Sequence, residues 1–175
     1  DPSQAFDPVA AGANRKDFAE GEAKALLETA WSPALWIETR IGDPRQDVTS
    51  ISVSSDGDVT LIRRLEADFR ILNDLSAFPF DTQALTFTIA SKRHSSGEVI
   101  FIVDDRDREL SGLADRLTAR DWQPGKMDFA MEQFYGWNAR PFMRVIATTT
   151  VERAWPRYVL RIFVPFLAVI SVSLF

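Results

Sequence analysis

Two alternating runs of residues meet at an Asp-Gly turn in residues 47–69, DVTSISVSSDGDVTLIRRLEADF. Ile51 and Val53 share one face of the first run, as expected of a strand whose successive side chains point to opposite sides. Asp56-Gly57 tolerates the positive φ angles of a tight turn, so the chain is predicted to reverse there. The return run places apolar residues on one face and charged residues on the other, which predicts one buried and one solvated face.

Further strands, with polar turns between them, are predicted on both sides of this hairpin. Residues 17–30 carry strong helix formers and are expected to form one or two helical turns, whereas residues 104–121 are expected to form a charged connector. Short strands around a single core are typical of an all-β protein with an immunoglobulin-like β-sandwich fold. The other predicted strands are Leu35 to Ile41, Leu85 to Ile89, Val99 to Val103, Met127 to Tyr135 and Phe142 to Val151.

The composition limits both the size of the fold and its partners. With 175 residues, of which 46% are hydrophobic, the chain can bury one good core, so a single domain is expected. The formal net charge of −5 argues against a nucleic-acid-binding face, which requires a basic surface. Cysteine is absent, which excludes disulfides and thiolate chemistry.

The C-terminal segment has the composition of a membrane helix. Residues 162–175, IFVPFLAVISVSLF, contain no charged side chain. A helix that crosses a bilayer needs about 20 apolar residues. This run is therefore expected to be the beginning of a transmembrane helix rather than a complete one.

A hydrophobic loop and a distant arginine give the strongest functional signal. Residues 78–83, Phe-Pro-Phe-Asp-Thr-Gln, lie between two predicted strands, where a surface loop is normally polar. Such an aromatic tip is expected either to pack within the fold or to press on a neighbouring surface. The carboxylate of Asp81 needs a cation, and Arg153 stands just before the apolar segment. Together these features point to a membrane receptor.

These motifs resemble those of the extracellular domain of pentameric ligand-gated ion channels, the Cys-loop receptor superfamily, in its cysteine-free prokaryotic branch. The resemblance covers nearly the whole chain, and the order of the motifs makes it specific. Animal members close the signature loop with two cysteines, whose places here hold Ile71 and Leu85, so packing is expected to hold the loop. The motifs are Ala5-Phe6-Asp7-Pro8 at the end of the second strand, Trp31-Ser32-Pro33 before the first ligand loop, the hairpin of residues 51–57, the loop of residues 78–83, Arg153, Tyr158 and Pro165.

The resemblance implies how the protein is organised and assembled. Residues 1–152 would be an extracellular ligand-binding β-sandwich that lacks its N-terminal strands, and residues 153–175 would be the truncated first transmembrane helix. The subunit would assemble with four further subunits, as a homopentamer, in the cell membrane. Arginines beside a span indicate by themselves a cytoplasmic flank, but the resemblance places the sandwich on the extracellular or periplasmic side.

The resemblance also implies how the domain is coupled to the membrane. Asp81 would pair with Arg153 at the membrane side of the sandwich. Phe78, Pro79 and Phe80 would rest on the linker between the second and third transmembrane helices. The simpler alternatives are an ordinary structural salt bridge and, for Phe80, packing within the sandwich.

Arginines recur every four residues at positions 153, 157 and 161, so a helix that begins early would place them on one face. Contact with membrane-lipid phosphate is one interpretation of this row. Snorkelling of the long side chains at the membrane interface is the commoner one.

Three segments match the family's ligand site between subunits. Two adjacent cations in the position of a binding aromatic argue against a quaternary amine and favour an anionic ligand, or none. An unperturbed histidine titrates near neutral pH, so His94 is a candidate proton sensor, although a solvated loop histidine is commoner. For the aromatics, packing on a neighbouring subunit is the alternative. The candidate ligand-binding residues are Trp36 and Glu38 in the first loop, Lys92, Arg93 and His94 in the second, and Phe134, Tyr135 and Trp137 in the capping loop.

The predicted function is to sense a small-molecule agonist or protons at subunit interfaces and to couple binding to the opening of a pore. The alternative is a membrane-tethered, monomeric β-sandwich that binds a sugar or a peptide. The sequence offers no nucleophile–base pairing, phosphate loop or metal triad, so no enzymatic activity, cofactor or metal site is expected. Asp104, Asp105 and Asp107 alternate with arginines and fit a solvated connector better than a calcium site.

Overall fold

Two antiparallel sheets, several short helical segments and one long apolar helix make up the protein. The computed structural model describes residues 2–113, 121–136 and 138–173. The strands are β1 (Arg15–Ala19), β2 (Leu35–Ile37), β3 (Arg40–Ser54), β4 (Val59–Phe69), β5 (Thr82–Ser91), β6 (Trp122–Tyr135) and β7 (Pro141–Arg153). The helices are a 3-10 turn (Pro2–Gln4), α1 (Pro8–Ala11), α2 (Glu20–Thr29), α3 (Asp105–Leu110), α4 (Trp155–Tyr158) and α5 (Val164–Ser173), with a π-helical segment (Val159–Phe163) between the last two.

The predicted Asp-Gly hairpin is confirmed as the β3–β4 pair of a three-stranded sheet with the order β1-β3-β4. Val53 lies opposite Val59 at the turn, where Gly57 takes a φ of 89° that favours glycine. Ile51 and Val53 are buried against Ala23 of α2. They form the core of a compact unit that comprises Asp1–Leu35 and Arg40–Arg70.

The helix predicted over residues 17–30 begins later than expected. Residues 17–19 belong to β1, and α2 starts at Glu20. Phe18 pairs with Ile51 of β3 and packs against the buried core, and this tertiary contact overrides the helix propensity of the segment.

Two other expectations near the N-terminus are wrong. The motif at residues 5–8 does not end a strand, because Asp7 caps α1 by accepting a hydrogen bond from the Val9 N–H at 2.9 Å. The strand predicted from Leu35 to Ile41 is two strands, since β2 ends at Ile37 and a turn precedes β3.

The second sheet is antiparallel with the order β2-β5-β7-β6. It belongs to a second compact unit, Trp36–Thr39 with Ile71–Phe175. Strand β7 lies between β5 and β6, so its side chains meet those of both neighbours. Val145, Ala147, Thr149 and Val151 are buried along it. The strands predicted from Met127 to Tyr135 and from Phe142 to Val151 are confirmed as parts of β6 and β7.

No strand forms over residues 99–103, where one was predicted, in the described part of the chain. Val99 is buried, whereas Ile100 and Ile102 are 71% and 81% exposed. Alternation of apolar residues predicts an extended backbone, but a strand also needs a partner for its N–H and C=O groups. The charged connector that follows contains α3, whose N-terminus carries a reciprocal capping box between Asp104 and Asp107.

The apolar C-terminal helix begins at Trp155, two residues after the predicted start, because Arg153 is the last residue of β7. Residues Trp155–Ser173 have a mean hydropathy of 1.4, and none of this segment is buried. By length and composition it is able to cross a membrane. Pro165 lacks an N–H, and the π-helical segment just before it accommodates the missing hydrogen bond.

Candidate functional site

The predicted Asp81 and Arg153 lie in contact and form a bidentate ion pair. Arg153 Nε donates to Asp81 Oδ1 at 2.5 Å, and Nη2 donates to Oδ2 at 2.9 Å. The Asp81 side chain is only 2% exposed, and the Arg153 side chain is 9% exposed. A planar guanidinium matches a carboxylate in this geometry, so the pair is both directional and strong.

Strand pairing explains why these two residues meet. Thr82 of β5 lies opposite Glu152 of β7, so Asp81 reaches Arg153 one step further along the same ladder. The Arg153 N–H donates to the Asp81 carbonyl at 3.2 Å, which extends the backbone pairing by that step. The ion pair therefore sits where the central strand ends and the apolar helix begins.

Three aromatic rings surround the Arg153 guanidinium. Its Cζ lies 4.1 Å from the ring centre of Trp122, 5.0 Å from that of Phe78 and 5.1 Å from that of Tyr158. These distances are those of cation–π contacts. Arg153 Nη1 also donates to the Tyr158 hydroxyl at 3.1 Å. The arginine side chain thus contacts strand β6, the hydrophobic loop and the start of the helix.

The buried Gln83 ties the hydrophobic loop to the ion pair. Its side-chain Nε2 donates to Asp81 Oδ2 at 2.7 Å and to the Asp74 carbonyl at 2.5 Å. Its Oε1 accepts from the Asp74 N–H at 3.0 Å. The side chain of Gln83 therefore holds both ends of the loop without a covalent bridge, whereas the resemblance implies that core packing alone holds it. Ile71 is in fact 43% exposed.

The aromatic tip of the loop contacts the helix that follows β7. The rings of Phe78 and Tyr158 meet edge to face at 5.5 Å, and those of Phe80 and Trp155 lie 5.4 Å apart. Pro79 is buried between two exposed neighbours, and Phe80 remains 63% exposed. The tip therefore touches the apolar helix and still presents an aromatic surface to its surroundings.

Electrostatics favour the ionised form of the pair. The Arg153 guanidinium and the Gln83 amide hold the pKa of the Asp81 carboxyl at about 2, below its ordinary value of 3.8, although burial opposes this shift. The hydrogen bond from Arg153 to Asp81 likewise raises the pKa of the guanidinium. The pair stays charged at any physiological pH.

A second group of predicted residues lies along the same sheet, where β2 and the end of β5 carry a cation–aromatic contact. The Nζ atom of Lys92 lies 4.8 Å above the Trp36 ring. The neighbouring Arg93 is exposed. A cation of the protein itself thus covers a face of the first-loop aromatic.

Arg144 of β7 joins two of the predicted residues in one charged and aromatic row. It pairs with Glu132 at 2.8 Å and with Glu38 at 3.5 Å. Its Cζ lies 5.2 Å from the ring centre of Phe134, which in turn stacks on Phe142 at 5.8 Å. This row joins β6 and β7 with the turn that follows β2.

His94 lies in the loop after β5 and is partly buried. Its side chain is 22% exposed, and Nδ1 lies 3.9 Å from Glu98 Oε1. Arg140 approaches the other oxygen of Glu98 at 3.7 Å. Hydrogen bonds from the Ser95 N–H and hydroxyl lower the pKa of Glu98, so this carboxylate is available as a charged partner for a protonated His94.

Of the remaining predicted ligand residues, the structure does not place Tyr135 in these groups. Tyr135 is 72% exposed, and Trp137 lies outside the described residues. Within the described parts of the chain, no group of three or more His, Cys, Asp or Glu side chains is arranged to hold a metal ion.

Sequence reasoning missed Gln83, Trp122 and Arg144, and for one of them a signal was present. A hairpin whose turn lies at residues 136–140 places Glu132 opposite Arg144, as the β6–β7 register shows. Trp122 lies opposite Arg153 in the same β6–β7 pair, but the irregularity between Pro124 and Met127 shifts the register and hides this pairing from the sequence. The partners of Gln83 are near in sequence, but the conformation of the loop decides which groups its side chain reaches.

A scan against protein-family models found no match, and a search among curated proteins found none either. The relation to pentameric channels therefore stays a prediction from the motifs.

Proposed function

We propose that this chain is the ligand-sensing domain of a pentameric ligand-gated ion channel, followed by the start of its first transmembrane helix. In this proposal the two sheets form an immunoglobulin-like β-sandwich on the extracellular or periplasmic side of the cell membrane. Agonist or protons bind between neighbouring subunits and favour one of two arrangements of the domain.

The single observation that carries the proposal is the buried Asp81–Arg153 pair at the start of a membrane-competent helix. An ordinary structural salt bridge involves only its two charged side chains. Here one guanidinium also contacts the aromatic loop through Phe78, strand β6 through Trp122 and the helix through Tyr158.

Such a junction is suited to transmit movement. A displacement of β7 along its neighbours moves Arg153, and the bidentate geometry carries Asp81 and the loop with it. The contacts of Phe78 with Tyr158 and of Phe80 with Trp155 pass the displacement to the helix. The exposed part of Phe80 remains free to press on other transmembrane segments.

The charges near the predicted ligand residues support an anionic or carboxylate agonist, or protons, over a quaternary amine. A quaternary amine needs open aromatic faces. Lys92 covers Trp36, and Arg144 lies over Phe134. His94 beside Glu98 supports proton sensing as the second option.

The first experiment measures the mass of the purified full-length protein in detergent. We expect a particle of five subunits. A single-chain particle would refute the channel and favour a membrane-tethered β-sandwich that binds a sugar or a peptide.

The second experiment records currents from membranes that contain the full-length protein, with a panel of acids, amines and pH steps. We expect Asp81→Ala to abolish opening and to leave agonist affinity largely intact, because Asp81 precedes β5 whereas the predicted ligand residues Lys92 and Arg93 follow its other end. Unchanged currents would refute the coupling role. The matched control is Asp68→Ala, which removes an exposed pair with Arg45.

A further inference from the structure

Two arginines of the C-terminal helix line one open cavity. Arg157 and Arg161 are four residues apart, and the cavity of about 780 Å³ beside them is also lined by Asp121, Tyr158 and Ile162. Both arginine side chains are exposed. In the part of the chain that the structure describes, neither guanidinium forms an ion pair.

Arg153, the third member of the predicted row, does not belong to this cavity. Its guanidinium is bound by Asp81 and Tyr158 and is almost completely buried. The row of three arginines is therefore divided in two. Arg153 is bound inside the protein, whereas Arg157 and Arg161 are exposed and form no ion pair among the residues that the structure describes.

The position of Arg161 along the membrane helix makes an unpaired charge there energetically unfavourable. Arg161 lies six residues after Trp155, within the π-helical segment Val159–Phe163. Trp155 and Tyr158 are residue types that mark the membrane–water interface. Arg161 therefore belongs at the boundary of the hydrocarbon, where a charged group requires water or a counter-ion.

Both arginine side chains line the same cavity, so their guanidiniums are available to one ligand. Side chains of a helix point back towards its N-terminus, so Arg161 extends towards Arg157 and towards the membrane surface. Like charges at this spacing repel each other unless an anion lies between them. Among the described residues that line this cavity, Asp121 supplies one negative charge against the two positive charges of the arginines.

We propose that Arg157 and Arg161 bind a phosphate group at the membrane surface, from an anionic phospholipid headgroup or from free phosphate. Two guanidiniums offer paired N–H donors that match phosphate oxygens. Tyr158 adds a hydroxyl at the cavity wall, and Ile162 adds an apolar surface on the side of the acyl chains. The site requires a membrane-spanning helix but no channel activity.

The test uses the full-length protein in nanodiscs and compares three conditions. The first contains phosphatidylcholine alone, the second adds phosphatidylglycerol, and the third adds inorganic phosphate to phosphatidylcholine. Bound phosphate groups are counted by native mass spectrometry, and thermal unfolding is followed in parallel.

We expect the wild-type protein to retain phosphatidylglycerol, and Arg157→Gln with Arg161→Gln to weaken retention about tenfold, as expected for losing charge-assisted hydrogen bonds. Arg157→Lys with Arg161→Lys should fall between the two, because lysine keeps the charge and loses the paired donors. Arg106→Gln, an exposed arginine of α3, is the matched control and should change nothing.

The two sources are separated by the second and third conditions. Stabilisation by inorganic phosphate that depends on both arginines identifies free phosphate, and stabilisation by phosphatidylglycerol alone identifies the lipid. Equal retention and equal unfolding temperatures in wild-type and double-glutamine proteins, under every condition, would overturn the proposal. If the double variant fails to fold, a wild-type protein that neither phosphatidylglycerol nor phosphate stabilises would also overturn it.

Discussion

Asp81 and Arg153 are 72 residues apart in sequence and are joined by two hydrogen bonds of 2.5 and 2.9 Å. They occupy the ends of neighbouring antiparallel strands, at the step where β7 gives way to the apolar helix. Because the pair is buried, either partner alone would be an uncompensated charge. Substituting either residue therefore leaves the other charge buried and unpaired, which should disturb the point where β7 meets the apolar helix.

Replacing Asp81 with Asn should lower the free energy of unfolding by about 3–5 kcal/mol, because Arg153 is then left buried without a counter-charge. Chemical denaturation of the purified protein measures this change. Asp68→Asn removes a partner of Arg45 in a pair whose side chains are more than half exposed, and it should cost less than about 1 kcal/mol. Similar losses for the two variants would show that the buried pair contributes no more than a surface pair.

The stability of the folded protein should decrease as the pH is lowered through the range in which Asp81 titrates. Its pKa in the folded protein is about 2, against an ordinary value of 3.8, so the unfolded chain binds the proton more tightly. The contribution, on the order of 2 kcal/mol, is present above about pH 4 and is lost as the pH falls through about 2. Denaturation at a series of acidic pH values tests this. Asp81→Asn should lack this part of the pH dependence, and an identical profile would contradict the assignment.

Gln83→Leu should loosen the hydrophobic loop, because the Asp74 N–H and carbonyl lose their buried partner. The expected cost is about 1–3 kcal/mol. Hydrogen exchange should become faster at the amides of residues 74–80 and remain unchanged in β7. Gln133→Leu, at an exposed position of β6, is the control. Unaltered exchange in the loop would mean that packing alone holds it.

Gly125→Ala should destabilise the β6–β7 pair at its irregularity between Pro124 and Met127. A Cβ at Gly125 would lie 2.9 Å from the carbonyl oxygen of Thr150, a backbone atom that cannot move aside. Overpacking of this kind costs about 1–3 kcal/mol. Gly97→Ala should be tolerated, since its nearest neighbour would be 4.0 Å away. Equal unfolding temperatures for the two variants would count against the close approach.

Phe80→Ala separates coupling from stability. The side chain is 63% exposed and contacts the Trp155 ring, so its removal should cost about 1 kcal/mol or less. Under the proposed function it should nevertheless impair opening, because the aromatic surface that presses on neighbouring helices is lost. Currents and thermal unfolding are measured on the same preparation. Ile102→Ala, another exposed apolar position, is the control for general loss of surface area.

Local patterns predicted the elements whose partners are near in sequence. The hairpin around Gly57 follows from alternation and from a residue that accepts a positive φ, and both are properties of a short segment. The apolar helix follows from a run of uncharged residues in the same way. The loop of residues 78–83 stood out because its composition contradicts its place between two strands.

The same reasoning failed where a partner had to be supplied by the fold. Residues 17–19 prefer helix by composition, yet they pair with β3. Residues 99–103 have the alternation of a strand and pair with none among the described strands. In both places the decision depends on whether a neighbouring edge is available, and that information is not local.

The sequence alone showed that a carboxylate in a hydrophobic loop needs a cation, and that an arginine precedes the apolar helix. The register of β5 and β6 against β7 settled that Asp81, Trp122 and Arg153 share one row. Strands separated by many residues can pair in many registers with similar backbone hydrogen bonds. Only the burial of the surrounding side chains selects one of them, because a shift of one residue would turn every side chain to the opposite face.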